Sequence, residues 1–234
     1  ALQSLGGAAA VLACGGWSAA RAAAGEEGSD DDRSRLADEI EQVMWDRVLA
    51  AWYPRCLDTD RGGFYENFSR DWTRGPTDSK FLVYQGRQTF VAAAVALAHP
   101  PQRDKYLQYA RHGLRFLADK MWDAQHGGFF DRTDALGKPL SETMPWKQLY
   151  SYSFGMYAAA AIAQAGRDRE ALELGKSAFR WLDEHAHDAR HGGYFEHLTA
   201  EGRPVAMDVP PEPLGRGLPV IGQVGYKSMN AHIH

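Results

Sequence analysis

The stretch His191–Pro204, HGGYFEHLTAEGRP, repeats much of His126–Pro139, HGGFFDRTDALGKP, and more loosely Arg61–Trp72, RGGFYENFSRDW. An aspartate stands at the same interval before each glycine pair, at Asp58, Asp123 and Asp188, so each step along the chain is 65 residues. A fixed period of this length signals a repeated supersecondary unit. In each copy Gly-Gly followed by two aromatics and an acid reads as a tight turn entering a short strand. TDALGKP and TAEGRP read as turns that close a β-hairpin.

The segments between these hairpins are helical and of two kinds. Residues 33 to about 56 carry Leu36, Ile40, Val43, Val48 and Trp52 at helical spacing. Residues 102–121 carry Tyr106, Ala110, Leu114, Leu117 and Met121, and residues 168–186 carry Leu172, Gly175, Phe179, Leu182 and Ala186. Each predicts an amphipathic helix that covers a core with one face. GRQTFVAAAVALA from Gly86 and YSYSFGMYAAAAIA from Tyr150 are instead apolar and small on nearly every side past their first turn, which predicts helices buried all round. One-faced and wholly buried helices in alternation are what two concentric layers require. The fold class expected is all-α, an α/α toroid with hairpins at one rim. Tetratricopeptide or armadillo units are shorter than 65 residues and lack the intervening hairpin.

A net charge of −4 over 234 residues, without a Lys/Arg cluster, argues against a nucleic-acid partner, since neutralising phosphates needs concentrated positive charge. No stretch is long enough to span a bilayer. The first 24 residues are rich in Ala and Gly around LGGAAAVLACGGW and read as the remainder of a secretory leader with an A-x-A-like site near Ala22–Ala24. VLAC, ending at Cys14, loosely resembles a lipobox, although Leu12 is unusual there. An exported protein is expected, periplasmic or extracellular, with Cys14 as a possible lipid anchor. Residues 1–32 are assigned to leader and polar linker, with Ser34 or Asp32 as the cap of the first helix, and residues 33–234 to the helical domain. Cys56 then has no disulfide partner.

If the hairpins mark one rim, the first turns of the buried helices open onto it. The first offers Lys80, Tyr84, Gln85 and Arg87; the second Trp146, Lys147, Gln148, Tyr150 and Tyr152; the third, starting near Tyr226, Lys227, Ser228, Asn230, His232 and His234. Guanidinium, amide, phenol and imidazole groups converging on the axis make a pocket for a polyhydroxylated ligand. His185, His187 and His191 have the look of metal ligands but flank a turn, and no metal site is assigned to them.

YQGRQTFVAAAVALA, WKQLYSYSFGMYAAAAIA, HAHDARHGGYFEHLT and KSMNAHIH resemble the N-acylglucosamine 2-epimerase family, which includes cellobiose 2-epimerases and mannose isomerases. The resemblance runs from about Leu36 to His234. It implies an (α/α)6 barrel of twelve helices around a sugar, of which these residues would form about half. It implies that Arg87 is the pocket arginine, Tyr150 the pocket tyrosine, and His234 the first pocket histidine, in the pattern N-x-x-x-H that begins at Asn230. Arg87, Tyr150 and Asn230 are thus candidate substrate-binding residues and His234 the candidate catalytic one. In the family an acid follows three residues later, and the two acid/base histidines, one in an H-x-x-E helix, also lie beyond His234. The polypeptide as it stands is therefore expected to be inactive.

The reaction implied is epimerisation or aldose–ketose isomerisation of a reducing sugar. A proton alpha to the carbonyl is removed and returned, work suited to histidine with its pKa of about 6.5. No metal or nucleotide cofactor is needed for that transfer. A glycoside hydrolase would require paired carboxylates facing the pocket, and a non-catalytic sugar-binding protein would need neither.

Overall fold

The structure is a computed structural model that describes residues 29–76, 79–140, 147–205 and 225–234. The expected leader, Cys14 and Trp146 lie outside the described residues. The chain divides into two compact units, Ala1–Ala51 and Trp52–His234.

In the first unit, α1 (Asp30–Val43) is capped by Ser29, whose Oγ accepts the Asp32 N–H at 3.2 Å, rather than by Ser34 or Asp32. Three aspartates in its first turn complement the helix dipole. The helix continues as a π-helical turn, Met44–Leu49, and helical geometry ends at Trp52 rather than near residue 56. The predicted helix is present, but among the described residues its stripe is left open: no α1 residue is buried and Leu36, Ile40, Val43 and Val48 are exposed, while Trp52 alone of the stripe packs edge-on against Phe68 and Trp72. Periodicity specifies a face; it does not supply the partner for that face.

In the second unit the helices alternate as the sequence predicts. α2 (Leu82–Ala98) lies along α4 (Leu149–Gly166), α3 (Arg103–Phe116) backs α2, and α5 (Arg169–His185) backs α4. A short α6 (Met229–Ile233) packs on α4. α3 is extended by a π-helical turn, Leu117–Met121, and buries the expected stripe Tyr106, Ala110, Leu114, Leu117 and Met121.

Two expectations fail in detail. α5 is rotated by about one residue. Leu182 and, just past the helix end, Ala186 are buried as expected, but Ala171, Ala178 and Trp181 are buried in place of Leu172 and Phe179, which are exposed. Trp181 sets this rotation by stacking on Tyr152, with ring centroids 5.3 Å apart, and by donating Nε1–H to the His126 carbonyl at 2.8 Å. α2 is not buried all round either, since Phe90, Val91 and Leu97 stand exposed where no described neighbour covers that side.

Leu57 bridges Phe64, Trp122 bridges Phe129 and His187 bridges Tyr194, so a hairpin turn sits at each glycine pair. All six glycines of these pairs have φ between +69° and +87°, a region in which a Cβ is strained. The strands also pair between copies. β1 (Ser79–Phe81), which enters α2, is antiparallel to β2 (Arg132–Asp134) of the next hairpin, and β3 (Lys147–Gln148), which enters α4, pairs with β4 (His197–Leu198).

A three-membered clamp repeats with the hairpins. Asp123 Oδ1 accepts the N–H groups of Gln125 and His126, while the Asp123 N–H and carbonyl bond to Gly128 and Gly127. Lys147, at the start of the following buried helix, donates to Asp123 Oδ2 at 2.8 Å and to the Gly127 carbonyl. Lys80 does the same with Asp58 and Gly62, and Lys227 with Asp188 and Gly192. Each clamp ties the end of one helix to the entrance of the next, which fixes how the buried helices present their first turns.

Gly128→Ala is expected to destabilise the fold by about 2 kcal/mol or more. The left-handed backbone costs an alanine about 1 kcal/mol, and its Cβ would stand 2.9 Å from the fixed Trp181 ring. Urea unfolding measures the effect. Gly192→Ala, whose Cβ would meet nothing within 4 Å, reports the backbone term alone.

Candidate functional site

The clamp lysines provide a common register for the buried helices. Three residues after each lysine come Val83, Tyr150 and Asn230; seven after come Arg87, Phe154 and His234. Positions three and seven lie on one helical face, and that face is where the candidate residues meet. Arg87 Nη2 lies 3.4 Å from the Tyr150 hydroxyl, and its guanidinium stands 4.6 Å over the Phe154 ring. The His234 ring is 5.1 Å from Tyr150 and 5.4 Å from Phe154. Three segments far apart in sequence thus bring a guanidinium, a phenol and an imidazole to one place.

Asn230 joins this cluster through its backbone. Its carbonyl accepts the Nδ1–H of His234 at 3.0 Å, which leaves Nε2 as the nitrogen available to a ligand. Tyr157 extends the aromatic wall one turn further, 5.3 Å from Phe154 and 4.5 Å from Phe90. Burial pushes the Tyr157 phenol up to about 12, with Arg87 opposing, so it is a neutral hydroxyl at physiological pH. A groove of about 530 Å³ opens beside His234, walled by Met156, Tyr157, Leu172 and Phe179.

Several residues that the sequence assigns to the pocket do other work. Lys80 and Lys147 are fully enclosed in the clamps, and Lys227 closes the third. Five residues after each clamp lysine come Gln85, Tyr152 and His232, and all three turn back toward the hairpins. Gln85 exchanges two hydrogen bonds with the Phe64 backbone. Tyr152 lies against Phe129 and Trp181. His232 Nε2 accepts the Tyr194 N–H at 2.9 Å while Nδ1–H donates to the Ser228 carbonyl, which places the proton on Nδ1. Ser228 caps α6. Composition makes these residues polar, but only the register separates position five, which faces the hairpins, from positions three and seven on the opposite face. His185 leans on Trp181, His187 on Tyr194, and His191 pairs with Asp188 at 3.4 Å. Among the described residues no three metal-ligating side chains form a group, and no helix is long and apolar enough to cross a membrane.

The hairpin acids support the site from behind. Glu196 accepts the Leu149 N–H on its carbonyl, the Tyr150 N–H on Oε1 at 3.2 Å and the Ser228 hydroxyl on Oε2, and so links the helix of Tyr150 to that of His234. Asp131, whose carbonyl accepts the Leu82 N–H at 2.9 Å, lies between α2 and α4. Burial pushes its carboxyl up to about 6, against the pull of Ser151 and Arg132. A carboxyl that holds its proton more tightly when folded contributes stability at low pH and loses it as pH rises through about 6. Unfolding midpoints should therefore fall between pH 4 and pH 6 from this group. Asp131→Asn should flatten that slope and raise stability at pH 7.5 by roughly 1–3 kcal/mol, as read from denaturant melts across pH.

Sequence reading missed Phe154, Tyr157 and Phe90. Phe154 was accessible by counting seven residues from Lys147, as Arg87 is from Lys80.

Known proteins resemble this chain over much of its length. A cellobiose 2-epimerase of Bacteroides fragilis is 29% identical over 173 residues, covering 73% of this chain and 42% of the relative. A D-mannose isomerase of Thermobifida fusca is 35% identical over 98 residues. The solved cellobiose 2-epimerase of Spirochaeta thermophila superposes with a TM-score of 0.72 at 32% identity, over 87% of this chain and 47% of that one. The chain spans about half the length of these epimerases, and its alternating helices match part of an (α/α) toroid. Residues 63–207 match the family model described as N-acylglucosamine 2-epimerase (GlcNAc 2-epimerase), and the chain belongs to that family.

Proposed function

We propose that the whole protein moves a proton at C2 of a reducing sugar through an enediolate, as a 2-epimerase or an aldose–ketose isomerase. The observation that carries this reading is the meeting of Arg87, Tyr150 and His234 on equivalent faces of successive buried helices. Proton abstraction alpha to a carbonyl places negative charge on the carbonyl oxygen, and a preorganised guanidinium is suited to receive it. Arg87 is assigned that oxygen. The Tyr150 hydroxyl and His234 Nε2 hold neighbouring hydroxyls, and Asn230 sets the His234 tautomer. Relatives named as a cellobiose 2-epimerase and a D-mannose isomerase support a mono- or disaccharide with a free reducing end as the substrate class.

Epimerisation needs one group to take the proton and another to return it from the opposite face. Among the described residues the cluster holds one imidazole, His234, and the acid/base pair is assigned to histidines outside residues 1–234. The 234-residue polypeptide is accordingly expected not to exchange the C2 proton of mannose, cellobiose or N-acetylmannosamine in deuterated water, whereas the whole protein exchanges it for at least one of them without added metal or cofactor. Deuterium at C2 above the no-enzyme level with the 234-residue polypeptide would show that His234 needs no second base. Its absence with the whole protein would favour the second reading, a sugar-binding protein without turnover.

A further inference from the structure

The Phe154 side chain has no polar atom, yet it stands against Arg87, Tyr150, Tyr157 and His234 together. Arg87 lies over its face at 4.6 Å, and Tyr150, Tyr157 and His234 surround it at centroid distances of 5.1, 5.3 and 5.4 Å. It is 4% exposed, whereas Arg87 and His234 are both exposed at the surface of the site. Its position is equivalent to theirs, seven residues after a clamp lysine, so the three successive helices present Arg, Phe and His at one level. The backbone is also arranged around this contact. Gly86, next to Arg87, packs so closely on Phe154 that a Cβ there would stand 2.5 Å from the Phe154 carbonyl oxygen. α2 and α4 thus touch directly beneath the guanidinium and the ring.

We infer that Phe154 is the positioning residue of the site, its ring face holding the Arg87 guanidinium and its tilted contact holding His234 so that both address the same bound sugar. The inference rests on the proposed sugar chemistry for its catalytic consequence, but not for the contact itself. An exposed arginine samples many rotamers, and a charge-stabilising donor is effective only when its geometry is set before the reaction. A guanidinium over an aromatic face is attracted by the ring quadrupole, more strongly as water is excluded. The ring therefore supplies orientation without itself taking up an N–H donor, and among the described residues the one donor already engaged is Nη2, in its long approach to Tyr150.

The contact and its consequence can be tested separately. In the 234-residue polypeptide, the Arg87 side-chain protons should resonate upfield from ring current, and Phe154→Leu should return them to ordinary values while helical circular dichroism is kept. In the whole protein, replacing Phe154 with mono-, di- and trifluorophenylalanine empties the ring face at nearly constant shape. kcat should fall progressively by about 3- to 10-fold overall, the range expected of a partly desolvated cation–π contact, with KM changed less. Phe154→Tyr, which retains the face, should keep more of kcat than Phe154→Leu. A flat fluorine series with an unshifted Arg87 would overturn the inference, as would wild-type kcat in Phe154→Leu. If Arg87 is shifted upfield but the wild-type protein never exchanges a C2 proton, the contact stands, and both the sugar chemistry and Phe154's catalytic consequence fall.

Discussion

Lys147→Ala is expected to cost about 3–5 kcal/mol of folding stability, the usual consequence of removing one partner from a buried ion pair. The ammonium and the Asp123 carboxylate are 1% and 6% exposed, so the surviving carboxylate has no access to water in exchange for its lost partner. Two carbonyls lose their donor in the same step, Gly127 in the hairpin and Ala200, the latter at 2.7 Å. A loss of this size is a large fraction of the 5–15 kcal/mol typical of a domain, so urea melts should show a strongly lowered midpoint or no cooperative transition. Lys147→Met with Asp123→Leu should recover part of the loss, because an apolar pair of similar volume avoids the desolvation that the ions suffer. Lys227→Ala should cost clearly less than Lys147→Ala, since that ammonium is 29% exposed and water can replace it.

The clamp also sets the acid limit of the fold. Burial alone would raise the Asp123 carboxyl, but Lys147 and the N–H groups of His126 and Gln125 outweigh it and hold the group below the usual carboxylate range. Asp58 is held down in the same way by Lys80, the Arg61 N–H and Tyr65. A depressed folded pKa means that the stabilisation is complete above about pH 4 and lost as pH falls through the folded value. Acid unfolding by this route runs opposite to the Asp131 effect, which acts between pH 4 and pH 6. The two can be separated by comparing Lys147→Met and Asp131→Asn across pH.

Much of this architecture is legible in the chain because repetition exposes it. The 65-residue period locates the three hairpins, and the contrast between one-faced and apolar helices separates the layers. Arg87 and His234 can be placed at one rim because both lie in first turns that follow a hairpin. What the chain conceals is rotation and partnership. The pattern of α5 is nearly as apolar one residue toward the N-terminus, at Ala171, Leu174, Ala178 and Trp181, and the stack of Trp181 on Tyr152 with its bond to the His126 carbonyl decides which face is buried. Lys80, Gln85 and His232 read as pocket residues because polarity at a first turn has two uses, binding a ligand and satisfying a neighbouring turn. Asp58, Asp123 and Asp188, invariant across the three copies, are the clue to the second use. Phe154 was hidden for the converse reason, since an aromatic in an apolar helix reads as core until its register with Arg87 is counted.

Arg87→Ala is expected to reduce kcat/KM of the whole protein for a reducing sugar by roughly 100-fold or more, the worth of one donor aimed at a developing oxyanion. Charge builds on the carbonyl oxygen only as the C2 proton leaves, so the loss should appear mainly in kcat and less in KM. Arg87→Lys keeps the charge but gives up the planar fork and its stacking on Phe154, and should recover only a small part of the rate. Folding should be nearly unaffected, because Arg87 is exposed and its polar contact among the described residues is the long 3.4 Å approach to Tyr150. That separates this variant from Lys147→Ala, in which activity and fold are lost together. Steady-state rates beside thermal melts decide the matter. An Arg87→Ala protein that melts like wild type and keeps its kcat would remove the guanidinium from the reaction and, with it, the assignment of the enediolate oxygen to this site.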